Sequence, residues 1–220
     1  MVKILINQSL KLANPNIVLG VIQASITVEK YNAALWLEIE KITAEVSRHY
    51  VLESLSDVPE IKAVRNTYKA LGKEPSRYRG SAEALLRRIV QGKGMYKVNN
   101  IVDINNLVSV KTVHPVGSYD LGKLSGQIFF RVGTAGEAYK GIGKEMINVA
   151  ELPVFADQEG VYGSPTSDSE RAMITESTKE ILLVIISFSG DNNLQHNLTE
   201  AVGFLEKFAG AINVQQMIVA

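Results

Sequence analysis

The chain of 220 residues contains no cysteine. That excludes disulfides, thiolate zinc sites and a cysteine nucleophile together. Histidine is nearly as scarce: His49, His114 and His196 stand far apart, without the H-x-x-x-H spacing of a helical metal site. A His-rich metal centre or a histidine-driven triad is therefore not expected. Phosphate-cradling glycine motifs are missing too. The segment GVYGSPTSD at 160–168 has no P-loop lysine, and Gly141-Ile-Gly143-Lys144 lacks both the spacing and the following hydroxyl. Nucleotide-dependent chemistry is thus not expected, and neither a cofactor nor a metal is called for. The start, MVKILINQSLKLAN, places Lys3 and Lys11 around an apolar run too short for a signal peptide or a membrane span. The expectation is a cytoplasmic protein that makes no use of a membrane.

What is present is the composition of an ordinary globular protein, 46% hydrophobic and 21% charged, in a chain long enough to bury a core unaided. The formal net charge is +0, but the charges are segregated. Residues 62–97 hold ten basic side chains against two acidic ones, and residues 145–180 hold eight acidic against two basic. A basic block of this density either follows a phosphate backbone or forms a solvated helical face that pairs with the acidic half, and composition alone favours the second.

Residues 2–6 and 16–28 are rich in β-branched side chains and read as early strands. Over 31–51 the apolar residues Leu35, Ile39, Ile42, Val46 and Tyr50 recur at helical spacing. Asp57-Val-Pro-Glu60 reads as a helix start with Asp57 as its cap, and the helix stops at Gly72. A further helix begins at Ser81 and ends by Gly92. Residues 98–111 form another, with Val98, Ile101, Val102 and Val108 on its apolar side and asparagines at 99, 100, 105 and 106. Asparagine is a poor helix former, so four of them suggest a polar task. His114-Pro115 ends this helix. Strands are expected at 127–132, 146–150, 153–156, 171–175 and 181–188; the last is apolar on both faces and should lie centrally. A helix over 194–212 closes the chain. The expected fold class is mixed α/β, with helices packed on a mixed sheet in a single domain.

Three stretches carry more polar functionality than a core needs. Residues 72–81 include Arg77, Tyr78, Arg79 and Ser81 and lead into a helix N-terminus, where free N–H groups favour an anion or a carbonyl. Residues 113–120 read as a turn with Pro115, Gly117, Ser118, Tyr119 and Asp120. Residues 160–169 present Ser164, Thr166, Ser167 and Asp168 beside Gly163, which permits close backbone approach. Each also has an ordinary structural use as a cap, a turn or an ion pair, Glu83 included. A common site would require 77–81, 105–109, 115–120 and 163–168 to meet in one cleft.

The run from Asn100 through Val102-Asp103-Ile-Asn105-Asn106 to His114-Pro115-Val-Gly117-Ser-Tyr119-Asp120, followed by Lys123-Leu-Ser-Gly-Gln-Ile-Phe-Phe-Arg131, resembles the B3/B4 domain of the phenylalanyl-tRNA synthetase β subunit. Gly136-Glu137, LPVFAD at 152–157, GVYG at 160–163 and ILLV at 181–184 continue the likeness in order. YRGSAEALLRRI at 78–89 and SPTSDS at 164–169 are more similar to free-standing B3/B4 proteins. The resemblance implies a B3/B4-like core over 61–190, preceded by strands and a helix over 1–60 and followed by a C-terminal helix over 191–220. It also implies an editing pocket in which a mischarged aminoacyl-tRNA ester is hydrolysed. The family's editing histidine, in P-M-H-A-F-D, falls on Gly117, and its editing glutamate falls on Val184, so this chain lacks both. Nothing in it resembles the class II synthetase motifs.

Two functions of different class stand open. One is trans-editing hydrolysis of an aminoacyl-tRNA, with catalytic candidates Ser164, Thr166, Asp168 and Glu83. The other is a binding module for tRNA or a free amino acid that has lost hydrolysis. Under either, the residues expected to bind the aminoacylated 3′ end are Arg77, Tyr78, Arg79, Ser81, Asn105, Asn106, Ser109, Pro115, Gly117, Tyr119, Asp120, Gly163, Ser164, Thr166 and Ser167. An acid in the pocket, from Glu83, Asp120 or Asp168, would favour catalysis. A protein–protein adaptor is the weakest reading, because it leaves the clustered hydroxyls, amides and guanidiniums unexplained.

Overall fold

Alternating apolar side chains along one strand supply two cores at once. Ile181, Leu183 and Ile185 point to one face, and Leu182, Val184 and Ile186 to the other, all fully buried. The computed structural model describes all 220 residues, Met1–Ala220. In chain order its elements are β1 (Ile4–Ile6), α1 (Gln8–Ala13), β2 (Val18–Ser25), α2 (Ala33–His49), α3 (Pro59–Ala70), α4 (Ser81–Val90), α5 (Asn100–Thr112), β3 (Val116–Asp120), β4 (Ile128–Val132), β5 (Ala138–Lys140), β6 (Met146–Asn148), β7 (Pro153–Asp157), β8 (Gly160–Gly163), β9 (Glu180–Ser187), α6 (Leu194–Ala209) and β10 (Ile212–Val219).

Two four-stranded sheets form the frame, with a small β5–β6 ribbon beside them. The first has the order β10-β2-β9-β3 and is antiparallel throughout. The second has the order β1-β4-β7-β8 and is mixed, because β1 runs parallel to β4. One core lies between the first sheet and helices α2, α4, α5 and α6; the other lies between the two sheets. The architecture is mixed α/β, layered as helices, antiparallel sheet and mixed sheet. β9 sits between β2 and β3, as its two-sided apolar run requires. No helix is long and apolar enough to cross a membrane.

Several local expectations change. The closing helix over 191–220 stops at Ala209, where Gly210 takes a left-handed conformation, and the chain returns as β10 along β2. Ile212, expected on the helix's inner face, is a strand residue and 63% exposed. Residues 113–120 are a turn only to Pro115; from Val116 they form β3, an edge strand on β9. Residues 171–175 are irregular rather than a strand. Ala172 and Ile174 are buried, but the segment meets β3 through a single bond from Asp120 N to Ala172 O and has no ladder partner. Asp57 does not cap α3: it lies in a short 3-10 turn, Leu55–Asp57, and Pro59 begins the helix directly after Val58. α5 starts at Asn100 rather than Val98, because the Asn99 side chain accepts from Val102 N at 2.9 Å, and Val98 is left exposed.

Candidate functional site

Strand β3 has one open edge, and the loop after β8 crosses beside it. Ser118 and Val116 alternate with Tyr119 and Gly117 along β3, so the first pair faces α5 and the second pair faces the core between the sheets. A cleft of about 310 Å³ opens on the α5 side. Its walls are Asn105, Asn106 and Val102 of α5, Val116 and Ser118 of β3, Ser81 at the start of α4, and Ser164, Thr166, Ser167 and Asp168 of the loop. Val98, Ile142, Met173 and Ile174 supply the apolar remainder.

The loop is held from several sides. Ser164 Oγ donates to Ser167 O at 2.8 Å and accepts from Ser167 N at 3.1 Å. Tyr139 Oη donates to Ser164 Oγ at 3.1 Å and also to Ser167 O. Thr166 Oγ1 shares a 2.8 Å hydrogen bond with Tyr68 Oη, and Lys144 Nζ donates to Ser167 Oγ at 2.8 Å. The backbone N–H of Ser81 donates to Pro165 O at 2.7 Å, which ties the start of α4 to the same loop. The Ser164 hydroxyl is thus engaged by the loop's own backbone and braces it.

Asp168 stands in the cleft wall. Its Oδ1 accepts from Tyr119 Oη at 2.8 Å, while desolvation pushes its carboxyl up to about 7 against the opposing pull of the Tyr119 bond, the Ser164 N–H and the Lys144 charge. Tyr119 is buried, and its pKa is raised by that burial and by the negative charge of Asp168. Its ring needs two glycines. A Cβ at Gly117 or at Gly163 would lie 2.4 Å from Tyr119 Oη. Gly117 and Val184 are paired across the β3–β9 ladder and both face the core between the sheets. The phenol of Tyr119 therefore fills the space a side chain at 117 would occupy.

Two buried polar atoms in the cleft walls have no hydrogen-bond partner, Ser81 Oγ and Asn105 Oδ1. Native interiors rarely leave such groups unpaired, since each costs about 1–3 kcal/mol.

The remaining sequence candidates lie elsewhere. Glu83 is 2% exposed and held by Arg65, whose Nη1 reaches both carboxylate oxygens at 3.1 Å, and by Arg87 Nε at 2.8 Å, away from the cleft. Asp120 accepts from Thr178 Oγ1 at 2.8 Å and from Gly122 N at 3.1 Å. Ser109 Oγ donates to His114 O at 2.7 Å and closes the end of α5, and Pro115 packs near Gly80 and Val64. Arg77 is exposed, Tyr78 lies under Lys73, and Arg79, just before α4, lines a separate concavity with Arg87 and Arg88. Of the four asparagines, Asn99 caps α5, Asn100 is buried in structural bonds, and Asn105 and Asn106 reach the cleft. Ser118, within the 115–120 stretch but not among the expected binding residues, lines the cleft, and sequence reasoning missed Tyr68, Tyr139 and Lys144 as braces. Strand alternation would have found Ser118 once β3 was recognised. A larger, open groove of about 500 Å³ between the C-terminal ends of α2 and α5 holds none of these groups.

The sequence pattern of the B3/4 domain matches residues 63–208. The phenylalanine–tRNA ligase β subunit of Symbiobacterium thermophilum is 32% identical over 127 residues, covering 54% of this chain and 14% of that protein. The β subunit from Aquifex aeolicus is 28% identical over 156 residues, covering 60% of this chain and 20% of the other. The chain thus spans a fifth or less of these two relatives. An N-terminal fragment of the phenylalanyl-tRNA synthetase β subunit from Pyrococcus horikoshii superposes with a TM-score of 0.49 at 11% identity, over 100% of this chain and 54% of that one.

Proposed function

The chain belongs to the B3/4 domain family, and from that premise we propose that it takes the aminoacylated 3′ end of a tRNA into the α5–β3 cleft and hydrolyses the ester there. The observation that carries this reading is Asp168: of the three acids considered, it alone lines the cleft, and its carboxyl is brought to about 7. A proton acceptor works best with a pKa near the working pH. In the proposed step a water adds to the ester carbonyl as Asp168 takes its proton. The C–O bond to the ribose then breaks, and the ribose oxygen leaves with a proton, giving free amino acid and tRNA. The hydroxyl and amide side chains along the cleft, Ser118, Thr166, Ser167 and Asn106, are of the kind that pairs with the amino group and hydroxyls of the terminal aminoacyl-adenosine. Family editing positions contribute no acid or base here, since Gly117 and Val184 occupy them.

The test is ester loss from a panel of correctly and incorrectly aminoacylated tRNAs. Wild type should release amino acid from at least one mischarged species, and Asp168→Asn should be slower by about 10²–10⁴-fold. Because the base acts ionised, kcat/KM should rise with pH through about 7 and then level. If the protein binds these tRNAs but leaves every ester intact, the binding module is the correct reading.

A further inference from the structure

One strongly charged basin remains outside this cleft. Arg79, Arg87, Arg88 and Lys93 line a concavity of about 300 Å³ together with Gln91 and Tyr96. No acidic side chain is in its lining. The nearest is Glu83, whose carboxylate bonds Arg87 through Nε at 2.8 Å and approaches Arg79 Nε at 3.8 Å. Those contacts orient two guanidiniums and leave their terminal amino groups open. Arg88 and Lys93 have no ion pair at all; the Arg88 guanidinium lies 3.9 Å over the ring of Tyr96, and its buried Nε has no partner. Only one ion pair, Lys73 with Glu151, joins the basic segment to the acidic one, so the acidic segment does not neutralise this basin. Four gathered cations repel one another, and a polyanion relieves that repulsion. Guanidiniums suit phosphate oxygens in particular.

The basin and the cleft share two elements. Ser81 in the cleft and Arg88 in the basin are seven residues apart on α4, about 10 Å along its axis. The returning chain passes from Tyr96 in the basin to Val98 in the cleft. Resting on the proposed seating of a tRNA 3′ end in the cleft, we infer that this basin holds the phosphodiesters of the strand immediately 5′ of the terminal nucleotide, with the exposed Tyr96 ring available to a base. The expected arginine contacts of the 77–79 loop thereby shift to α4, with Arg79 alone shared.

The test uses the full chain and a hairpin RNA with a short single-stranded 3′ tail. Arg88→Gln/Lys93→Gln should weaken binding about tenfold and reduce the salt slope by about 1.4, at roughly 0.7 per phosphate lost. Lys62→Gln/Lys69→Gln, which removes two exposed cations of α3, should bind nearly as wild type does. Neutral methylphosphonates in the tail should weaken wild type by clearly more than they weaken Arg88→Gln/Lys93→Gln, which keeps only Arg79 and Arg87 in the basin; thermal unfolding checks that each variant folds. Fully additive losses, or unchanged affinity in the double variant, would overturn the placement while the cleft reading stands. Failure of wild type to bind the RNA at low salt would remove both. Inorganic phosphate competing at concentrations comparable to the RNA would instead mark a small-anion site and overturn the inference.

Discussion

At the scale of single residues, the site depends on one contact, Tyr119 Oη to Asp168 Oδ1, and on the absence of side chains at Gly117 and Gly163. Gly163→Ala would put a methyl 2.4 Å from Tyr119 Oη and 2.7 Å from Asp168 Oδ1. Overpacking of this kind typically costs about 1–3 kcal/mol, so urea unfolding should show a loss of that size together with reduced ester hydrolysis. Asp168 also links stability to pH. Its carboxyl is raised above the ordinary 3.8, so the folded state holds the proton more tightly than the unfolded chain does. The contribution is full below about 4 and lost as pH rises through about 7, on the order of a few kcal/mol. Unfolding at pH 5 and pH 8 should show wild type less stable at the higher pH, and Asp168→Asn should flatten that difference.

At the scale of elements, α5 is anchored at its N-terminus by asparagine chemistry as well as by the buried Ile101 and Ile104. Asn100 Oδ1 accepts from Glu29 N at 2.8 Å, while its Nδ2 donates to Thr27 O at 2.9 Å and Phe208 O at 3.0 Å. One side chain thus joins α5 to the end of α6 and to the segment after β2. Asp103, one turn on, accepts from Trp36 Nε1 at 2.8 Å and Val98 N at 3.0 Å. Asn100→Ala would leave buried backbone groups unpaired. It should lower the unfolding free energy by about 3 kcal/mol in chemical denaturation, at about 1–3 kcal/mol per stranded group. Since α5 also carries Asn105 and Asn106 into the cleft, hydrolysis should fall along with it.

At the scale of the whole molecule, the two sheets press Val184, Tyr119, Phe155 and Tyr162 into one dry layer, in which Tyr119 meets Tyr162 edge-on at 4.9 Å between ring centroids. Val184→Glu, which would introduce the glutamate that the family resemblance implies at this position, would therefore place a carboxyl between sheets rather than in the cleft. A buried glutamate raises its pKa by as much as 3–5 units, so holding it protonated at neutral pH should cost up to about 4 kcal/mol. Thermal unfolding should show a large fall in Tm, with no gain in ester hydrolysis.

Much of this arrangement was legible in the residues because it is local. Four-residue spacing from Leu35 to Val46 marks α2, and the two-sided apolar run of β9 marks a central strand, since side-chain periodicity follows directly from backbone geometry. Of the segments singled out around 100–131 and 160–169, those carrying Asn105, Asn106 and the 164–168 loop meet Ser81 in one cleft. Strands β3 and β10 were hidden because short polar strands owe their state to a ladder partner distant in sequence. The roles of the acids were hidden for a related reason. Glu83 and Asp168 are equivalent as letters, but packing surrounds Glu83 with Arg65 and Arg87 and gives Asp168 a phenol in a desolvated wall. Residue spacing determined the elements; long-range burial and partners, available only in the tertiary structure, decided which carboxyl faces the cleft and with what proton affinity.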